Sequence, residues 1–230
     1  MTGGTVDSLA EHTTALFQLL RFSSPSLPIG GFAWSQGLEA AIERSWLRNE
    51  EDLHAWLRAG LEQNFARQEL PLLLRMLNAE GQDEIADWNG RSLAMRETAE
   101  LRLEDVQTGR ALMRLSLSLG MDVAGTWSPQ EDIGYLAAFA LVCRHHGIAF
   151  APAATGFIWS WLDNQVAAAI KLMPLGQTAG QLLIEQLAPA IPDIIARASQ
   201  VDDEDIGISL PGQVMASMLH EIQYSRMFRS

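Results

Sequence analysis

One cysteine in 230 residues, Cys143, cannot close a disulfide within the chain. No CxxC pair is present to hold zinc or a redox couple. That usage fits a reducing cytoplasm, the expected location. Basic residues are also scarce: 16 against 28 acidic ones, a formal charge of -12. Such a field repels nucleic-acid phosphates and anionic headgroups, which excludes a general nucleic-acid binder. The opening stretch MTGGTVDSLAEHTT has neither a basic leader nor the apolar core of an export signal. The longest strictly apolar run, Tyr135 to Cys143, has nine residues, about half of the roughly 18 that suggest a membrane span. Neither a membrane nor a nucleic-acid partner is expected. Strand-like alternation is missing as well, and no fixed repeat appears.

What the chain does have is helical spacing. Apolar residues recur every three or four positions from Ala10 to Phe22, with Leu16, Leu19 and Leu20 on one side and Phe17 nearby. Residues 1–9 are expected to be a flexible lead-in. The run Ser23 to Gly31, SSPSLPIGG, is an ordered-looking loop. Ser35 is placed to cap a helix ending near Leu47, and Asn49-Glu50-Glu51-Asp52 opens a long one. Pro71 opens another, Gln82 to Met95 forms the next, and Glu97 to Leu119 runs to Gly120. Ser128-Pro129-Gln130-Glu131 resembles a capping arrangement before the stripe Ile133, Leu136, Ala140 and Cys143. Further helices follow to Ile195. The expectation is one all-α domain over residues 1–230, a bundle of about ten helices with a distinct tail at 220–230.

Candidate catalytic chemistry is thin. There is no GxSxG elbow, and Cys143 lies on an apolar helix face, a core position. His145 and His146 point about 100° apart on a helix and do not share one ion readily. Phosphate-binding glycine loops are absent. The run Asp202-Asp203-Glu204-Asp205 superficially suggests a magnesium-diphosphate site. Such a site needs carboxylates one turn apart, yet Ile206 stands four beyond Asp202, so a solvated linker is favoured over an all-α magnesium-dependent enzyme. No cofactor or stable metal site is expected.

Two segments carry more. KLMPLGQTAGQ puts Gln177 and Gln181 one turn apart, with Gly176 and Gly180 on the neighbouring face. Either this is an ordinary helix contact with each Gln facing water, or it is a polar seam at an interface or channel. Gly176 and Gly180 would let helices of two copies approach closely. HEIQYSRMFRS gathers Tyr224, Arg226, Phe228 and Arg229 where a frayed terminus is the default. Tyrosine and arginine are enriched in binding hot spots, so docking competes with fraying. On this reading the last seven residues add little to the core.

Together these residues resemble the UreF family of urease accessory proteins across nearly the whole chain. SPSLPIGGFAWSQGLE (Ser24–Glu39), KLMPLGQTAGQ (Lys171–Gln181) and HEIQYSRMFRS (His220–Ser230) carry the likeness. A weaker match, MRETAELRLED at Met95 to Asp105, contains Glu97 and departs at Ala99; the tail departs at Ile222 and Met227. The resemblance implies a non-catalytic, all-helical homodimer that bridges the UreD (UreH) scaffold and the UreG GTPase during nickel delivery to apo-urease. By position it makes Lys171, Pro174, Gly176, Gln177 and Gln181 a partner-facing surface. It makes His220, Glu221, Tyr224, Ser225, Arg226, Phe228, Arg229 and Ser230 a docking tail. Pro28, Gly30, Gly31, Ser35, Gly37, Glu39 and Glu97 become a structural signature.

Overall fold

The computed structural model describes residues 3–123, 127 and 131–230, with side chains described from residue 9. The capping arrangement expected at Ser128–Glu131 falls largely outside them. Among the described residues every regular element is helical, as expected. The elements are α1 (Gly3–Phe22), α2 (Leu38–Glu43), α3 (Glu50–Ala59), α4 (Leu70–Asn78), α5 (Gln82–Ala94) and α6 (Ala99–Ser118). After these come α7 (Tyr135–His145), α8 (Phe150–Leu172), α9 (Gln177–Leu187), α10 (Ile191–Ala198) and α11 (Pro211–Glu221). No helix among these residues is long and apolar enough to cross a membrane.

Local chemistry explains most boundaries. Asn49 caps α3 by accepting the Asp52 amide at 2.9 Å, with three acids in the first turn against the helix dipole. Thr98 caps α6 in the same way through Leu101. The nine-residue apolar run becomes all but the last two residues of α7, whose residues Leu136 to Cys143 are all buried because α4, α5 and α6 pack around it. Cys143 is part of that core, and burial pushes its thiol up to about 12, so it is inert.

Several expectations are corrected. Pro71 does not open a separate helix: α3 runs through a π-helix, Gly60–Glu69, directly into α4. The widened turns stand just before Pro71, which has no amide to give to the turn behind it. α2 stops at Glu43, not Leu47, since Ser45 has a positive φ of 59 and turns the chain. Gly37 is the residue that enters α2, while Ser35 two positions earlier caps its first turn by accepting the Glu39 amide at 3.3 Å. α1 packs against α8 along one edge only. Leu19 and Phe22 are buried there, while Leu9, Leu16, Phe17 and Leu20 are each more than half exposed.

The glycine argument for helix pairing between copies also changes. A Cβ on Gly180 would meet Val166 at 2.8 Å and Ile170 at 2.9 Å, so its small size is already used where α9 lies against α8. Gln177 and Gln181 are exposed, and the buried polar seam is not formed within the chain.

Candidate functional site

The tail does not fray. After α11 it turns back across α2 and α6, so that Phe228 and Ser230 are buried. The anchor is Glu39, in the first turn of α2 and itself buried. Its carboxylate accepts the amides of Met227 at 2.7 Å and Phe228 at 2.8 Å, and Gln223 Nε2 at 3.4 Å. Gly37 makes this possible: its φ is 83, a left-handed value, and a Cβ would lie 2.8 Å from the Ser217 nitrogen of α11.

A second carboxylate completes the clasp. His220, fully buried on α11, lies between Glu39 Oε2 at 3.3 Å and Glu100 Oε2 at 2.8 Å. Glu100 also accepts Arg226 Nη1 at 2.7 Å. Arg226 binds the tail's own turn too, donating to the carbonyls of Glu221 at 2.7 Å and Gln223 at 3.0 Å. The end of the tail is pinned to the loop before α2. Ser35 donates its hydroxyl and its amide to the Ser230 carbonyl, and the Arg229 amide donates to Ala33 at 2.8 Å.

Thus the fold brings Ser35, Gly37 and Glu39 together with His220, Glu221 and Arg226 to Ser230. Lys171 joins them: its Nζ stands 5.5 Å from the centre of the Phe228 ring, a cation–π distance. His220, Phe228 and Ser230 face inward, so the tail residues matched as docking positions divide into holders and presenters. Tyr224 is fully exposed, and Ile222, Ser225 and Met227 also point outward. Pro174 and Gly176 are exposed beside Lys171, and Gln177 and Gln181 share a shallow pocket there with Asp163, whose carboxyl burial raises. Pro28 is exposed, and Gly30, with a φ of 81, starts the short 3-10 turn Gly31–Ala33 that lays Ala33 beside the tail. The acidic run near 202 is tied down, with Asp203 accepting Arg75 Nε at 2.7 Å.

Behind the clasp lies a cavity of about 140 Å³, lined by Gln36, Glu97 and Glu104 among others. Gln36 takes a positive φ of 55, a strained value for a side chain of its size. It donates to Glu104 at 2.9 Å and accepts Trp161 Nε1 at 2.9 Å. Deeper in, Arg96 holds Glu69 with both terminal nitrogens and Asp105 through Nε at 2.8 Å. Sequence reasoning singled out only Glu97 here; Gln36, Arg96, Glu100 and Glu104 lie within the matched segments Ser24–Glu39 and Met95–Asp105 but carried no assigned role.

The described residues therefore define an all-helical domain that folds its own C-terminal segment onto an N-terminal loop. The chain belongs to the UreF family. The UreF family model matches residues 47–188. The chain is 46% identical over 230 residues to the urease accessory protein UreF of Chromohalobacter salexigens, covering 98% of this chain and 100% of that protein. It is 45% identical over 219 residues to the one from Marinobacter nauticus, covering 94% of each. The family-model match excludes both sides of the clasp, whereas the full-length relative spans them.

Two outcomes follow from this geometry. Glu39→Ala leaves two tail amides without their buried acceptor and His220 with Glu100 alone, and should cost on the order of 3 kcal/mol in urea denaturation. In the same variant, hydrogen exchange at residues 226–229 should lose protection well before the core does. Burial, against the Gln36 hydrogen bond, pushes Glu104 up to about 8 from its ordinary 4.5. Below 4.5 folded and unfolded chains both carry the proton. Between 4.5 and about 8 only the folded chain keeps it, so this group lowers stability as pH rises, and above 8 its effect is constant. Glu104→Gln should match the parent's melting temperature near pH 4 and exceed it increasingly toward pH 8, as read by thermal scans.

Proposed function

We propose that this chain is a non-catalytic adaptor of urease maturation in the cytoplasm, bridging the UreD (UreH) scaffold and the UreG GTPase so that nickel reaches apo-urease. The observation that carries the reading is the clasp. Two of the segments that mark the family, Ser24–Glu39 and His220–Ser230, spend their polar groups on each other, and Lys171 from the third sits on the Phe228 ring. Such an arrangement presents a rigid surface, with Tyr224, Ile222 and Met227 turned outward and Lys171, Pro174 and Gln177 beside it. An exposed aromatic held on an ordered backbone gives contact area without a large ordering cost on binding. Nickel is cargo of the assembly in this reading, with no resident cofactor on the chain.

The proposal includes a homodimer, now supported by α1 in place of α9. Leu9, Leu16, Phe17 and Leu20 fall on one broad face of α1 that none of the described residues covers. Such an outward stripe is the self-complementary kind of surface a two-fold pair buries. In sedimentation the parent should run as a dimer at micromolar concentration and Phe17→Asp as a folded monomer. A parent that stays monomeric would remove this part of the reading.

The adaptor itself is tested by size-exclusion chromatography of the chain with purified scaffold and GTPase. Tyr224→Ala should keep the parent's melting temperature yet weaken complex formation by roughly 1–2 kcal/mol, the range for an exposed aromatic anchor. Lys171→Ala should reduce GTPase retention more than scaffold binding. Full assembly by a Tyr224→Ala, Lys171→Ala double variant would sink the proposal.

A further inference from the structure

The cavity behind the clasp takes no part in holding the tail beyond Gln36 and Glu104, and its lining has a definite chemical character. The rings of Trp161, Phe65, Phe157 and Tyr135 form a continuous aromatic wall, with successive centroids 4.9, 5.7 and 5.7 Å apart. Phe65 belongs to the π-helix, a conformation that costs hydrogen-bond geometry and recurs at functional sites. Carboxyl groups line the same cavity. Arg96 is fully engaged by Glu69 and Asp105, and among the described residues Glu97 and Glu104 enter no salt bridge. The Tyr135 hydroxyl is buried on the cavity wall; Ser160 acts on it, but no hydrogen bond of normal geometry closes.

Aromatic rings that share a cavity with a carboxyl outside any salt bridge, held only by Gln36 and Ser230, suit a diffuse organic cation. They suit an inorganic ion less, because the described residues offer no group of three His, Cys, Asp or Glu side chains that could hold one. The volume is close to that of a cavity able to enclose a benzene ring, so a guanidinium head with a short stem fits. We propose that this cavity binds one guanidinium or primary ammonium group on a short apolar stem, its charge between the aromatic wall and Glu104. The source is either a basic side chain of a docking protein or a free amine. The inference is independent of the adaptor reading.

A proton linkage makes the site testable. Glu104 is acted on by Asp105 on its own helix, by Arg96 from the connection before α6, by Gln36 from the loop before α2 and by Ser230 of the tail, and Glu97, Glu69 from the π-helix and Tyr135 from α7 line the same cavity. From α8 come only the uncharged Ser160, Trp161 and Asn164. Burial pushes the Glu104 carboxyl up to about 8, which favours its protonated form at neutral pH. A cation placed beside it favours the carboxylate, so the O–H bond breaks and the proton leaves to buffer as the ion pair forms.

The test is titration calorimetry of the full chain with n-propylguanidinium and with its neutral isostere n-propylurea, in buffers of different ionisation enthalpy. At about pH 6.5 the cation should bind with release approaching one proton, with little release at about pH 9. It should bind at least about tenfold more tightly than the urea. Glu104→Gln, checked for fold by circular dichroism, should lose the proton release and about tenfold in affinity, and Tyr135→Phe should weaken binding while keeping the release. A short peptide with one exposed arginine that competes with the probe assigns the site to a docking side chain; binding of the small probe alone assigns it to a free amine. Equal binding of the two isosteres, no binding at millimolar probe, proton release that survives Glu104→Gln, or Ni²⁺ taken up at this cavity in place of the probe would each overturn the proposal.

Discussion

A buried carboxylate has to find donors, and Glu39 finds them in a part of the chain 188 residues away. Held in water, an isolated glutamate satisfies itself. Held in the first turn of α2 and removed from solvent, it costs several kcal/mol unless amides or cations surround it. The tail supplies two consecutive amides and α11 supplies His220, so the loop before α2, α11 and the last residues are stable only as a unit. Glu100 extends the same logic to α6 through His220 and Arg226. Such networks contribute modest net stability compared with apolar packing, because desolvation offsets much of the attraction. What they specify is one arrangement, since any shifted register would strand a charge.

The helical class, the cap at Asn49 and the core role of Cys143 were legible in the sequence because each depends on residues within a turn or two of one another. The orientation of α1 was not. Leu16, Leu19 and Leu20 have the spacing of a core face, but periodicity does not say how wide a strip the neighbouring helix covers, and α8 covers only the edge at Leu19 and Phe22. The π-helix was hidden for a similar reason, as Leu57, Leu61 and Phe65 keep ordinary helical spacing through it. Glu39 reads locally as an acid complementing a helix dipole, and His220 as one scattered histidine among five. Their partnership exists only once the chain ends are brought together.

A residue matched to a family segment is therefore not thereby a contact. Within the single stretch His220–Ser230, His220 and Phe228 build the surface while Tyr224 presents it. Loss of partner binding in a variant at His220 and loss in one at Tyr224 would have different physical origins, the first through an altered tail conformation and the second through missing contact area. The resemblance groups these residues in one segment and leaves this division of labour open.

Lys171 is the only lysine among the 230 residues, and its ammonium stands over the one tail ring that the core takes in. Acylating or alkylating reagents that seek ε-amines meet a single such group on the entire molecule. Acylation would erase the positive charge beside that ring, and even a charge-preserving label would crowd it. For this chain, lysine chemistry of any kind, enzymatic or synthetic, is chemistry at the contact between the α8 terminus and the C-terminal segment.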